Sequence, residues 1–434
     1  LSTLYTPGPA GVDGHVRLST LASGVRVVTE AVPGTRSASV GFWVAVGSVH
    51  ESPSLAGATH FLEHLLFKGT PTRGPLQIAE AFDAVGGEAN AFTAQEHTCY
   101  YAHVLDTDLP MAVQVLGDML CSSLLLPADV RSERQVVLEE IAMLDDEPAD
   151  LVHDAFSVAL FGDGPLGRPI IGSAQSLGAM TRARVAGWYA SRYRAPQVVV
   201  SAAGAVDHSC LVRLVRTALA PLPREEPAAV RTGPGGVGER IVVRHRPTEQ
   251  VHVVLGVQGL RRGDPGRHAQ SVLVTALGGG MSSRLFQEIR EKRGLVYTVA
   301  ASTSAFTETG VLDVYAGCTG EKLPEVLDVA TDVIASVAQD GLGEDEVARA
   351  IGQVRGSFVL SLEDPTVRME RLGRQVLHTG TVESGESVLA ALGAVDVDRV
   401  DALAADLLSR PWHAAAVGAS DVVSHLQLAA AVGA

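Results

Sequence analysis

Pro221-Leu-Pro-Arg-Glu-Glu-Pro-Ala-Ala-Val-Arg-Thr-Gly-Pro-Gly-Gly-Val-Gly238 lies near the middle of a chain of 434 residues. So much Pro and Gly cannot propagate a helix or a central strand, so the stretch reads as a linker, 221–238. It separates an N-terminal domain, 1–220, from a C-terminal one, 239–434, each about the size of an ordinary domain. The two sides echo each other. Ala91-Phe92-Thr93 recurs as Ala305-Phe306-Thr307, Tyr101 as Tyr315 and Leu109-Pro110 as Leu323-Pro324, all 214 positions apart. Asp129-Val130 then matches Glu346-Val347, and Glu147-Pro148 matches Asp364-Pro365, both 217 positions apart. Five matches in one order at a near-constant offset indicate one unit repeated twice.

Each copy opens on strand-like runs. Val25 to Thr29 and Ser39 to Ala45 in the first correspond to Arg240 to Arg244 and Gln250 to Gly256 in the second. They are β-branched, partly alternating and bounded by Gly and Pro. Helical patterns follow at Leu55–Phe67 and Leu76–Val85, the latter ending on Gly86-Gly87, and a strand pair runs through Ala89–Val104. Strands and helices in mixed runs, without strict βα alternation, predict an α+β fold: two homologous domains, each a mainly antiparallel sheet with packed helices.

Hydrophobic residues make up 46% of the chain, ample for a packed core. The net charge of −15 argues against nucleic acid as partner, because phosphate binding needs clustered cations. Cys99, Cys121, Cys210 and Cys318 show no CxxC spacing, as in a reduced, cytoplasmic protein. No apolar run reaches the length of a membrane span. The opening from Leu1 lacks a signal peptide's basic and apolar regions, although an export signal could precede it.

The chemistry concentrates in His60-Phe61-Leu62-Glu63-His64. On a helix, positions 60, 63 and 64 share a face, so both imidazoles and the carboxylate project together. Two histidines one turn apart can share Zn²⁺, and a neighbouring carboxylate can take a proton from a metal-bound water. The order H-x-x-E-H is that of the inverted zinc peptidases. A third ligand is expected from Glu133-Arg-Gln-Val-Val-Leu-Glu-Glu140, where Val130, Val137, Ile141 and Leu144 form an apolar stripe that includes Glu133 and Glu140. Carboxylates on such a stripe are costly unless paired or metal-bound. Glu140 is the better ligand, Glu139 points to solvent, and Glu133 either orients a ligand histidine or forms a buried ion pair with an arginine.

With these residues in place, the chain resembles the pitrilysin (M16) metallopeptidases, most of all the short bacterial members related to the mitochondrial processing peptidase β subunit. The flanks Gly57-Ala-Thr-His-Phe-Leu-Glu-His-Leu-Leu-Phe-Lys-Gly-Thr70 and Asn90-Ala-Phe-Thr-Ala-Gln-Glu-His-Thr98 carry the resemblance in the first copy. Gly278-Gly-Gly-Met-Ser-Ser-Arg-Leu-Phe286 and Arg290-Glu-Lys-Arg-Gly-Leu-Val-Tyr297 carry it in the second. It implies two halves closing like a clamshell on a peptide. It further implies that Asn90, Ala91 and Phe92 belong to an edge strand on which substrate lies by β-augmentation, the alternative for Phe92 being a core position. In longer pitrilysin-like enzymes an Arg and a Tyr spaced as Arg290 and Tyr297 reach the zinc site, which assigns them to the oxyanion; otherwise they are a surface residue and a strand aromatic.

Aligned on Leu66-Phe67 and Leu285-Phe286, the second copy has Gly279 and Ser283 opposite His60 and His64, and Ser357 opposite Glu140. One Zn²⁺ per chain is therefore expected. The favoured activity is a zinc-dependent endopeptidase acting on peptides or short unfolded segments, with Glu63 as the base. The alternatives are a non-catalytic assembly subunit and a heterodimeric processing subunit. Because one chain carries both the zinc motif and the Arg-Tyr pair at half the length of those enzymes, the expected assembly is a C₂ homodimer with sites shared between subunits.

Overall fold

The computed structural model describes residues 3–6, 12–228, 233, 238–419 and 426. Within the linker 221–238, residues 229–232 and 234–237 lie outside the described residues, as do 1–2 and 7–11 of the opening segment. The first copy builds a seven-stranded sheet from β1 (Thr3–Thr6), β2 (His15–Thr20), β3 (Arg26–Ala31), β4 (Ser37–Val44), β5 (Glu88–Thr93), β6 (Thr98–Leu105) and β7 (Val198–Gly204). Their order is β1-β2-β3-β7-β4-β6-β5. The second builds a five-stranded sheet from β8 (Ile241–His245), β9 (Gln250–Gly259), β10 (Thr298–Ala305), β11 (Gly310–Thr319) and β12 (His413–Gly418), in the order β10-β11-β9-β12-β8.

The duplication is visible in this topology. Read from the other edge, the first sheet runs β5-β6-β4-β7-β3, and each strand has its counterpart in β10-β11-β9-β12-β8. The orientations agree as well. Three antiparallel pairings are followed by one parallel pair, β7 with β3 in one copy and β12 with β8 in the other. The sheets are mainly antiparallel, as the sequence predicts, with one parallel pair each.

Both faces of the first sheet are covered, which explains why β4 reads as a nearly continuous apolar run. Val40, Phe42 and Val44 point into the larger core beneath helices Ala58–Leu66, Leu109–Ser122 and His208–Ala218. Trp43 points to the opposite face, into a second cluster with Met369, Leu372 and Val376. Those last three come from helix Pro365–Thr379, which lies in the second half of the sequence.

The compact units are accordingly not the contiguous halves 1–220 and 239–434. One comprises Leu1–Ile141, Pro169–Arg231 and Val359–Val388; the other comprises Ala142–Arg168, Thr232–Phe358 and Leu389–Ala434. The two copies have exchanged one helix each. Helix Pro365–Thr379 packs on β7, β4 and β3, and helix Pro148–Phe161 packs on their counterparts β12, β9 and β8. The physical reason is that an apolar sheet face must be covered, and sequence adjacency does not dictate by which copy. Equivalent strand glycines admit the exchanged helices: a Cβ on Gly41 would stand 2.4 Å from Met369 Sδ, and one on Gly256 2.5 Å from Phe156 Cζ. A buried ion network holds the first of these helices, with Arg368 paired to Glu30, and Arg371 to Asp13 at 3.1 Å.

Candidate metal centre

Helix Ala58–Leu66 is anchored at its N-terminus by a residue outside it. Glu51, 4% exposed, accepts the backbone N–H groups of Gly57 (2.8 Å) and Thr59 (2.6 Å), as an anion does at a helix start. Gly57 has φ +86°, and a Cβ there would stand 2.5 Å from the carbonyl oxygen of Ile171, so glycine is required twice over. From this fixed start Phe61, Leu62, Leu65 and Leu66 face the core, while His60, Glu63 and His64 lie half-buried on the other side.

The second element is helix Pro127–Asp145. Val130, Glu133 and Val137 are buried, Glu140 is half-buried and Glu139 is exposed, which is the facing expected from the stripe. Leu144 departs from it: near the helix end it is 37% exposed.

Together the two helices present three ligand atoms to one point. Glu140 Oε2 lies 4.0 Å from His60 Nε2 and 3.5 Å from His64 Nε2, and one ligand atom from each residue falls within 4.8 Å of the others. Tetrahedral Zn²⁺ with bonds of about 2.0–2.2 Å holds its ligand atoms roughly 3.3–3.5 Å apart, so a small contraction would close the set. Two imidazole nitrogens and one carboxylate oxygen, leaving one position open, form the donor set of a catalytic rather than a structural zinc site. Burial and the neighbouring His64 hold His60 down at about pKa 4, leaving its imidazole neutral at physiological pH as a ligand must be.

Glu63 stands beside this set without belonging to it. Burial raises its pKa, and the hydroxyl of Thr93, the last residue of β5, donates to its Oε2 and offsets part of the rise. Glu133 directs Oε2 at His64 Nδ1, 3.4 Å away, and Oε1 at Lys68 Nζ, 2.8 Å away. It thus combines the two roles expected of it, except that the cation is a lysine rather than an arginine.

β5 is an edge strand. Asn90 is exposed and its side chain accepts the Ala91 N–H. Phe92 is half-buried, its ring edge-on to Trp43 at 5.7 Å, and packs against the second core cluster. In the second unit Arg290 and Tyr297 come together: the Arg290 guanidinium lies 5.3 Å from the Tyr297 ring and 4.7 Å from that of Phe286, and Tyr297 is 80% exposed. The Gly278-Gly-Gly280 run ends helix Arg267–Gly278 and precedes the helical turn that begins at Arg284.

Three contributors escape a reading of the sequence. Lys68 carries a signal, since it follows His64 by one helical turn and a carboxylate at Glu133 demands a cation. Thr93 and Glu51 carry none, because strand β5 and the Pro53–Leu55 turn bring them to the site through the fold.

The chain is similar to known proteins over most of its length. The model described as "Insulinase (Peptidase family M16)" matches residues 26–174, and "Peptidase M16 inactive domain" matches 179–354. An "Uncharacterized zinc protease" of Mycobacterium tuberculosis is 52% identical over 406 residues, covering 93% of each chain. The "Uncharacterized zinc protease YmxG" of Bacillus subtilis is 36% identical over 405 residues, covering 93% of this chain and 98% of its own. The chain belongs to peptidase family M16. Its fold is shared with solved structures: a "peptidase M16 inactive domain" from Pseudomonas fluorescens superposes with a TM-score of 0.87 at 20% identity, covering 94% of this chain and 98% of that one. A "protease from Helicobacter pylori" does so with 0.86 at 19% identity, covering 93% and 99%. The three residues that could hold a metal fall within the first family match, and the second copy falls largely within the one described as inactive. Among the described residues no single helix is long and apolar enough to cross a membrane.

Proposed function

We propose that this M16 protein is a zinc-dependent endopeptidase acting on peptides or short unfolded segments, with His60, His64 and Glu140 as ligands and Glu63 as general base. The observation that carries the reading is the convergence of His60 Nε2, His64 Nε2 and Glu140 Oε2 beside a half-buried carboxylate that is not one of the ligands. A Zn²⁺ held there would polarise the scissile carbonyl and acidify a water. Glu63, oriented by Thr93, would take a proton from that water and return it to the departing amine. Burial favours the protonated carboxyl that this return step needs. Substrate would pair along β5, the edge that ends at Thr93, with Asn90, Ala91 and Phe92 beside it.

Glu63→Gln is expected to retain zinc and lose on the order of 10²–10⁴-fold in kcat on a fluorogenic peptide, because an amide cannot accept the proton. Turnover near that of the parent would show that Glu63 is not the base. The proposal extends to a C₂ homodimer in which Arg290 and Tyr297 of one copy serve the oxyanion of the other, supported by their stacking and by the exposure of Tyr297. Mixing inactive Glu63→Gln with inactive Arg290→Ala/Tyr297→Phe should restore activity, since one site of the mixed dimer is intact. No recovery after verified subunit exchange would place the pair in cis or outside the reaction.

A further inference from the structure

Lys68 has no role in the chemistry above, yet it occupies a defined place behind it. Its Nζ lies 2.8 Å from Glu133 Oε1, and Glu133, 4% exposed, turns its other oxygen to His64 Nδ1 at 3.4 Å. The Lys68 side chain itself is 33% exposed. Its backbone is fixed on both sides. Its N–H bonds the Leu65 carbonyl (3.1 Å) in the closing turn of the motif helix. The loop that follows is tied down by Thr70 and Thr72, whose hydroxyls both donate to Asp118 (2.6 and 2.5 Å). A buried carboxylate with an imidazole as its only partner is free to rotate about its own side chain, whereas one held from both ends is not.

We infer that Lys68 is a positioning residue for the metal: by clamping Glu133 Oε1 it directs Oε2 to His64 Nδ1, and so holds the His64 ring with Nε2 toward Glu140. The chain of contacts Lys68–Glu133–His64 runs from the solvent-facing end of the motif helix to a ligand atom. The inference rests on the reading of His60, His64 and Glu140 as a zinc site. Groups behind ligating histidines typically govern metal affinity by about 10–100-fold. Lys68 would act one contact further out, through the orientation of Glu133.

The test is zinc affinity and release rate, measured by competition with a chromophoric chelator, for Lys68→Met, Lys68→Arg, Glu133→Gln and Lys68→Met/Glu133→Gln. Lys68→Met should weaken zinc binding by about tenfold and speed its release, and Lys68→Arg should restore binding to within about threefold of the parent. On the Glu133→Gln background, Lys68→Met should add less than about threefold, because a neutral amide does not need the clamp. The thermal midpoint of the chelator-treated protein should be the same with and without Lys68→Met. Three results would overturn the inference: affinity of Lys68→Met within about twofold of the parent, an equal loss on both backgrounds, or a lowered metal-free midpoint that Lys68→Arg does not repair. His64→Ala separates this failure from that of the site itself. If His64→Ala strips the zinc while Lys68→Met leaves it, the Lys68 inference alone is wrong; if His64→Ala also keeps it, the metal centre is elsewhere.

Discussion

The two copies solve one problem, holding a short segment against a long helix, in opposite ways. In the first, helix Ala58–Leu66 meets helix Pro127–Asp145 through His60, His64 and Glu140, whose ligand atoms converge without hydrogen-bonding one another. In the second, the chain leaves its helix at Gly278, passes through a turn and re-forms as a single π-turn over Phe286–Glu291. There the contact with helix Glu344–Ser361 is made by hydrogen bonds. Arg284 grips Glu346 with two hydrogen bonds of 2.8 Å, and the Gln353 side chain donates to the Gly279 carbonyl at 2.9 Å. The difference teaches what a metal site requires beyond ligand types. Gly279 and Ser283, opposite His60 and His64, do not sit on an α-helix, so no pair of side chains there can stack one turn apart.

The largest effect should come from removing ligands in one copy and adding them in the other. His64→Ala or Glu140→Ala should abolish stoichiometric zinc and with it peptidase activity. Ser283→His/Ser357→Glu, which gives the second copy two ligand types at the corresponding positions, should leave the zinc-to-chain ratio at that of the parent by elemental analysis. A second equivalent of zinc in that variant would break the argument from backbone geometry.

A smaller effect tests the exchanged helices. Gly256→Ala should destabilise by about 1–3 kcal/mol in urea titration, because its methyl group would meet both Phe156 and the backbone oxygen of Leu312, at 2.7 Å. Gly41→Ala should cost less, since its obstacles, Met369 Sδ at 2.4 Å and Trp43 Nε1 at 2.8 Å, are side chains and not backbone. Equal losses would mean that the two helix–sheet contacts are equally rigid. The smallest effect is expected for Arg284→Ala. Its pair with Glu346 is about one-quarter exposed on both sides and screened by water, so a loss of about 1 kcal/mol or less is expected, with zinc affinity unchanged.

Much of this was readable in the residues because it depends on local periodicity. The i, i+3, i+4 spacing of His60, Glu63 and His64 puts them on one face whatever surrounds the helix. The heptad separating Glu133 from Glu140 places both on the stripe of Val130 and Val137, and the fold keeps Glu139 in solvent. The repeats of Leu109-Pro110 and Glu147-Pro148 in the second half open equivalent helices, whereas Ala91-Phe92-Thr93 ends β5 and its match Ala305-Phe306-Thr307 begins at the last residue of β10 and runs into the turn, two positions out of register with the hairpin. The M16 family followed from the same residues.

What local patterns do not encode is which surface covers which. The apolar stripe of Met369, Leu372 and Val376 declares that helix Pro365–Thr379 must be buried, but not that it closes the sheet of the other copy. Burial is non-directional: the free energy depends on the apolar area removed from water, so the choice of partner follows from shape, from Gly41 admitting Met369 and from Arg368 finding Glu30. The same holds at the metal centre. The residues that could hold a metal are written into two helices, whereas Glu51 holds the start of one helix from a loop, Thr93 meets Glu63 from a strand end and Lys68 meets Glu133 from a closing turn, contacts that exist only once the chain has folded.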